Sequence, residues 1–335
     1  MWHIGIDLHR KTLVIAAVHD SGEVRPPVSF ECSDIQGIIE CVSQLQPFRA
    51  VVEATGTYRW LYRLLRPLGT MLLAHPLMLR AMIQRRCKTD RLDAQLLANL
   101  LRINQIPLAY IPSDEYQLLR DITRHRARMG RGLAQVKTSL RAILARHNMP
   151  SLYKCPFGPR GLYWFSKQDF DLVDNAVRDE LLERFQHYSR QMEALDARLL
   201  ELQPKYPQVE VLVELYGIGL FSALLIVGEL GDVERFRNAK QAGAYTGLTP
   251  RISQSGEHSH HGHVSRQGSA WLRWILIEAA MKLVRQDVAL ANFYTRIRKR
   301  SSAKIARVAA ARKLAEICWK RLRRWHRQHN NQVAA

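Results

Sequence analysis

Cysteine is scarce in this chain, with five in 335 residues. Cys32, Cys41, Cys87, Cys155 and Cys318 are odd in number and never closely paired, which argues against a disulfide framework or a cysteine zinc site and suits a reducing cytoplasm. Acid is also in short supply: 30 Asp and Glu stand against 50 Lys and Arg, a formal net charge of +20. So large a surplus exceeds what solubility requires and implies a polyanionic partner, nucleic acid before a membrane surface. No run of about 18 apolar residues exists to span a bilayer. The N-terminus lacks the basic-then-apolar layout of a signal peptide, so secretion is not expected and the expected location is the cytoplasm. What the chain does have is 47% hydrophobic residues over a length that accommodates two domains with a proper core in each.

The first hundred residues read as α/β. Ile4 to Asp7 and Leu13 to Val18 are short apolar runs, the second closing at the turn signal Asp20-Ser21-Gly22, and Val28 to Phe30 makes a third strand of an antiparallel meander. Residues 34–46 have helical periodicity, Ala50 to Glu53 reads as a buried strand, Trp60 to Leu68 as a helix, and Thr70 to Ala74 as a fifth strand before Pro76. That plan is a mixed sheet with helices.

Asp90 and Asp93 then open a helix whose apolar residues (Leu92, Leu96, Leu97, Leu100, Leu101) recur at helical spacing, so the two carboxylates share a face. Two readings stand side by side. The pair either caps the helix and complements its dipole, or joins Asp7 at the end of the first strand and Glu53 at the end of the fourth in a cation site. Four carboxylates packed together repel one another unless divalent ions offset their charge or their pKa values rise. Their hard oxygens select Mg2+ or Mn2+, and two such ions suit in-line phosphoryl transfer. The ordered set of acids favours the metal reading. Arg80 to Lys88, with Arg85, Arg86 and Lys88, adds a basic block just upstream, where a phosphate backbone would need it.

From about Asp114 to Met149 the pattern becomes one long basic helix, stopped by Pro150; Tyr153 to Phe165 reads as an irregular hairpin, and residues 171–202 return as a second helix in near-heptad spacing. This helical arm is either a self-contained αα-hairpin or an intermolecular coiled coil, and the length of each stripe leans towards the second. Beyond Pro204 and Pro207, a short apolar helix, the turn Gly217-Ile218-Gly219 and the helix Leu220 to Leu230 form a helix-hairpin-helix pattern. Its glycines either admit phosphates to backbone N–H groups or simply break a helix. Arg296 to Arg327 is a basic helical tail that includes Arg298, Lys299, Arg300 and Lys304, with Trp319 and Trp325 interleaved, which suits RNA or distorted DNA. The resulting domains are 1–112, 113–204 and 205–335.

Several blocks together resemble the DEDD transposases, the insertion-sequence recombinases that include Piv-type DNA invertases and bridge-RNA-guided recombinases. They are Gly5-Ile6-Asp7, Val52 to Tyr58, Lys88-Thr89-Asp90 through Asp93-Ala94, Tyr216 to Gly219, Ala244 to Pro250, Ser255-Gly256, and Ser265 to Ser269 with Leu272-Arg273. They follow the family's order and span most of the chain. The resemblance implies a ribonuclease H/RuvC-like N-terminal domain holding magnesium through Asp7, Glu53, Asp90 and Asp93. It also implies a coiled-coil arm and a mainly α-helical transposase domain whose Ser255 attacks DNA and becomes covalently joined to it. Implied partners are double-stranded DNA at element ends and target, an element-encoded structured RNA, and further copies of the chain, as dimers and then a tetramer. Arg251, Arg266 and Arg273, in or beside these blocks, are candidate nucleic-acid contacts.

A serine hydroxyl is a weak nucleophile that needs a base or cation, which carboxylate-bound magnesium supplies. Ser253, Ser259 and Ser265 compete with Ser255, and position in the family motif selects among them. Between Gly256 and Ser265 the chain is unusually rich in histidine, His258, His260, His261 and His263. Those four either bind a transition metal, contact nucleic acid, or lie in a mobile loop. Two alternatives to a serine recombinase stand: a resolvase-like nuclease using water, and a non-catalytic nucleic-acid-binding protein whose acids are caps.

Overall fold

A computed structural model describes the backbone of residues 1–82, 89–255 and 258–333, with their side chains except at 252–255, 258–261 and 330–333. The chain divides into two compact units, Met1–Ile111 and Pro112–Ala335.

In the first unit β1 (Trp2–Leu8), β2 (Thr12–His19) and β3 (Val24–Glu31) form the meander, followed by α1 (Ile35–Ser43), β4 (Phe48–Glu53), α2 (Tyr58–Leu65), β5 (Thr70–Ala74), α3 (Pro76–Met82) and α4 (Asp90–Arg102). The sheet order is β3-β2-β1-β4-β5. β1 runs antiparallel to β2 and parallel to β4, which is parallel to β5. Pro26 and Pro27 lie in β3, where an edge position tolerates a residue without an N–H donor.

The two-residue alternation of β1 and β4 sorts their side chains onto two faces. Ile4, Ile6, Ala50 and Val52 pack with Ile38 and Val42 of α1 and Leu61 and Leu65 of α2. On the other face Val51 packs with Leu97 and Leu101 of α4, and Val14 and Ala16 with Ala94. α4 lies so close over β1 that a Cβ on Gly5 would stand 2.0 Å from the Ala94 carbonyl oxygen and 2.4 Å from the Ala98 nitrogen. Glycine at 5 and alanines at 94 and 98 are what let the helix sit there. The unanticipated helix is α3. Pro76, read as a terminator, is its first residue, where the missing N–H would have no helical partner anyway.

The second unit comprises α5 (Asp114–Arg146), α6 (Pro159–Ser166), α7 (Leu172–Leu202), α8 (Glu210–Val213), α9 (Leu220–Leu230), α10 (Ala239–Tyr245), β6 (Pro250–Ser255), β7 (His258–Val264), α11 (Ala270–Leu283), α12 (Val288–Arg300) and α13 (Ala303–Val333). α5 and α7 run antiparallel, with Arg126 bonded to Asp196 and Arg146 to Asp174. Val136, Leu140, Ile143 and Leu144 pack with Leu181 and Phe185. The stripes weighed as an intermolecular seam thus close on each other within the chain. The presumed hairpin at Tyr153 to Phe165 holds α6 instead, with Phe165 buried in that same cluster.

Buried polar bonds fasten α5 to α9. Arg124 donates to both Glu229 carboxylate oxygens at 2.6 and 2.9 Å, and Arg120 to the carbonyls of Gly228 and Glu229 at 2.7 and 2.9 Å. The basic tail is two helices, broken at Ser301 and Ser302. One side of α13 is core: Ala306, Ala310, Ala311, Leu314, Ala315, Cys318, Trp319 and Leu322 are buried. Trp319, read as a stacking surface, is 5% exposed and donates its indole N–H to the Val233 carbonyl at 3.0 Å, so it is a core residue.

Candidate active site

Thr89 caps α4, its hydroxyl accepting the Leu92 N–H at 3.3 Å. The aspartates of the first turn complement the helix dipole but are not the cap, so capping does not account for both of them. α4 crosses β1 at Gly5 and points its N-terminus at Asp7. Asp7, His9 and Asp90 each offer a ligand atom within 4.8 Å of the others. His9 Nε2 lies 3.2 Å from Asp7 Oδ2 and 3.3 Å from Asp90 Oδ1. Burial pushes the Asp7 carboxyl above its ordinary value; His9 opposes that shift, and the charges of Asp90 and Asp93 add to it.

Glu53 ends β4 one residue beyond Val52, which pairs with Ile6. Because Ile6 and Val52 face α1 and α2, the next residues, Asp7 and Glu53, take the α4 side of adjacent strands. Three acids are therefore within electrostatic reach of one another and the fourth is one strand over. Two carboxylates and an imidazole within 4.8 Å, with repulsion already disfavouring ionisation of Asp7, are a donor set that fits a divalent cation. His9 was missed in the sequence. Its signal was there: two residues past Asp7, it returns to the same face of the strand.

Ser255 is the last residue of β6 and pairs with His258 across the two-residue connection 256–257, so it occupies the hairpin tip. The histidine-rich stretch, for which a mobile loop is one of three readings, is the second strand of this hairpin: His258, His260, His261 and His263 all lie in β7. Two of the sequence blocks meet at the hairpin base. Ser265 N–H donates to Thr249 O at 2.8 Å and Arg266 N–H to Gly247 O at 3.1 Å. Gly247 and Gly268 have φ of +70° and +136°, and a Cβ on Gly268 would lie 2.1 Å from the Tyr245 carbonyl oxygen, which explains both glycines. Arg273 Nη1 donates to the carbonyls of Gly268, Arg266 and Thr246 at 2.8, 3.1 and 3.4 Å. Burial and the nearby Arg266 charge lower its pKa.

Arg251 and Arg266 are exposed, as are Arg298, Lys299 and Arg300 in the last turn of α12 and Lys304 in α13. Gly217 and Gly219 divide the two readings of their turn. Gly217 has φ +88° and packs on α11, where an added Cβ would meet Lys282 Cβ at 2.5 Å. Gly219 is the N-cap of α9, with open space around it. Arg85, Arg86 and Lys88 lie outside the described residues.

The first unit is thus an α/β unit presenting clustered carboxylates, and the second a basic helical unit with a β-hairpin. Residues 4–149 match a transposase family of the DEDD, IS110 type, and residues 209–295 match the family described as Transposase IS116/IS110/IS902. The chain is 28% identical over 327 residues to the putative transposase y4qE of Sinorhizobium fredii, covering 95% of this chain and 78% of that one. It is 25% identical over 336 residues to a probable family 20 transposase of Pseudomonas aeruginosa, covering 96% of each. It is 24% identical over 330 residues to the transposase for insertion sequence element IS1328 of Yersinia enterocolitica, covering 94% of this chain and 95% of that one. The chain belongs to the DEDD transposases of the IS110 type.

Proposed function

We propose that this transposase cuts and rejoins DNA at the ends of an insertion sequence by phosphoryl transfer, with Ser255 as nucleophile and Asp7, Glu53, Asp90 and Asp93 holding Mg2+ or Mn2+. An element-encoded structured RNA directs it to donor and target DNA, and the chain works as a homo-oligomer, dimer to tetramer. One observation carries the reading: α4, laid on β1 at Gly5, places Asp90 and Asp93 beside the half-buried Asp7. A strand order of β3-β2-β1-β4-β5 with β2 antiparallel to its neighbours supports a ribonuclease H/RuvC-like first domain. Leu152 and Leu172, 73% and 88% exposed on the arm at residues 113–204, support association between copies.

Asp7, Glu53, Asp90 and Asp93 would hold the divalent cations, which when bound would supply charge stabilisation to the attacking and leaving oxygens. The chain's own part is nucleophile and scaffold. The Ser255 hydroxyl oxygen bonds to phosphorus, the bond from phosphorus to the leaving sugar oxygen breaks, and the serine proton ends on that oxygen. The phosphoserine keeps the ester, so the reverse step rejoins strands without ATP. Arg273 and the two tight glycines hold the base of the hairpin whose tip carries the serine.

The test is denaturing electrophoresis of full-length protein, with its co-purifying RNA, incubated with labelled element-end DNA and Mg2+. A protein–DNA adduct that survives denaturation and is lost in both Ser255→Ala and Asp90→Asn is expected. Cleavage without an adduct, unchanged by Ser255→Ala, overturns the serine reading in favour of a nuclease using water.

A further inference from the structure

The arginines of α5 differ in their partners, and Arg141 stands apart from those that follow, its Cζ 4.8 Å from the Phe157 ring centre. Arg120, Arg124, Arg126 and Arg146 direct their N–H groups to carbonyls and carboxylates of their own unit. Arg128 and Arg131, one turn apart and both exposed, are held by ring faces instead. Arg131 Cζ lies 4.1 Å from the Trp271 ring centre and 5.7 Å from that of Trp274, and Arg128 Cζ lies 5.7 Å from Trp271. Among the described residues neither guanidinium has a carboxylate partner.

The difference matters chemically. A ring engages a guanidinium through its flat face, so the plane is fixed while the in-plane N–H donors stay available. Those donors form a fork that matches phosphate oxygens. Were the pair only an adhesive between α5 and α11, aliphatic side chains would bury the same ring surface without keeping two charges in solvent. Trp271 is the second residue of α11, in the first turn of the helix whose Arg273 donates to carbonyls at the base of the Ser255 hairpin.

We propose that Arg128 and Arg131, set against the Trp271 ring, form a phosphate clamp for duplex DNA. This rests on the proposed function for its choice of DNA, but binding is measured without metal or strand cleavage. A failed serine assignment therefore leaves the test intact. Fluorescence anisotropy of the full chain with a labelled duplex is read across salt concentration. Each lost phosphate contact makes the plot of log affinity against log salt shallower by about 0.9, so Arg128→Gln/Arg131→Gln is expected to lose about 1.8 in slope. Arg128→Lys/Arg131→Lys keeps the charges and should keep most of that slope, with unchanged thermal midpoints in both pairs. A Gln pair with the wild-type slope overturns the clamp, as does a fall in affinity tracked only by a lower midpoint. A slope change confined to single-stranded RNA, or a wild type that does not bind the duplex, overturns the assignment to DNA.

Discussion

Replacing Gly5 with alanine tests the geometry of the acidic site in one methyl group. The added Cβ would stand 2.0 Å from the Ala94 carbonyl oxygen, 2.4 Å from the Ala98 nitrogen and 2.8 Å from Leu97 Cβ, against 3.4 Å for ordinary contact. The first two neighbours are helix backbone and cannot swing aside as a side-chain tip would. α4 must therefore rise from β1 by about 1.4 Å at Ala94, the difference between 3.4 and 2.0 Å. Overpacking of this kind costs about 1–3 kcal/mol, and the upper end applies because backbone is displaced. For a unit of this size each kcal/mol corresponds to roughly 4–8 °C, so at about 3 kcal/mol the midpoint of the first unit should fall by roughly 12–24 °C. Asp93 adjoins Ala94, and misplacing a reacting group by about 1 Å costs on the order of 100-fold. The assays are thermal unfolding by circular dichroism and adduct formation on element-end DNA. Gly130→Ala is the control. Gly130 lies inside α5, a Cβ there meets nothing nearer than 3.8 Å, and alanine should stabilise that helix by up to about 1 kcal/mol. Gly5→Ala with wild-type midpoint and activity would refute the close approach of α4 and the site built on it.

Glu229→Ala leaves the buried Arg120 and the half-buried Arg124 facing an empty carboxylate position, so denaturant unfolding should show a loss of about 3 kcal/mol, the low end for breaking a buried pair because Arg124 keeps some solvent. Two carboxylates predict opposite pH behaviour. The Arg146 guanidinium and then His147 hold Asp174 below the ordinary 3.8. Its stabilisation is thus complete above that value and lost as pH falls below it, and Arg146→Met should flatten the acid limb of the stability curve. Asp7 is raised, so stability falls as pH climbs from 3.8 through its folded value. In EDTA, Asp7→Asn should therefore be more stable than wild type at neutral pH while forming no adduct. Burial pushes the Cys318 thiol up to about 12; a maleimide should label exposed Cys155 in the native protein and reach Cys318 only on unfolding.

Local pattern made the strands of the first unit legible, since two-residue alternation and turn residues are properties of neighbouring positions. Asp7, Glu53, Asp90 and Asp93 stood out for the same reason: Glu53 ends β4, Asp7 is one residue from the end of β1, Asp90 begins α4 and Asp93 lies in its first turn, and the sequence marks those limits. His9 escaped because its role depends on contact with Asp90, 81 positions along the chain, and no local pattern records that distance.

Sequence alone determined the polyanion-seeking charge, the α/β opening, the long amphipathic helices and the family, because composition, periodicity and motif order need no third dimension. Tertiary structure decided which charges remain available. Arg120 and Arg124 of α5 are bonded to Glu229 and its neighbouring carbonyls, while Arg128 and Arg131 lie on a ring. Within one helix a basic residue looks the same in either case; only the packing of α9 and α11 against α5 gives some guanidiniums internal acceptors and leaves others facing water. The same holds for α13, where Trp319 sits among basic residues in the sequence but inside the core in the fold, since a helix has two sides and only its neighbours settle which is buried.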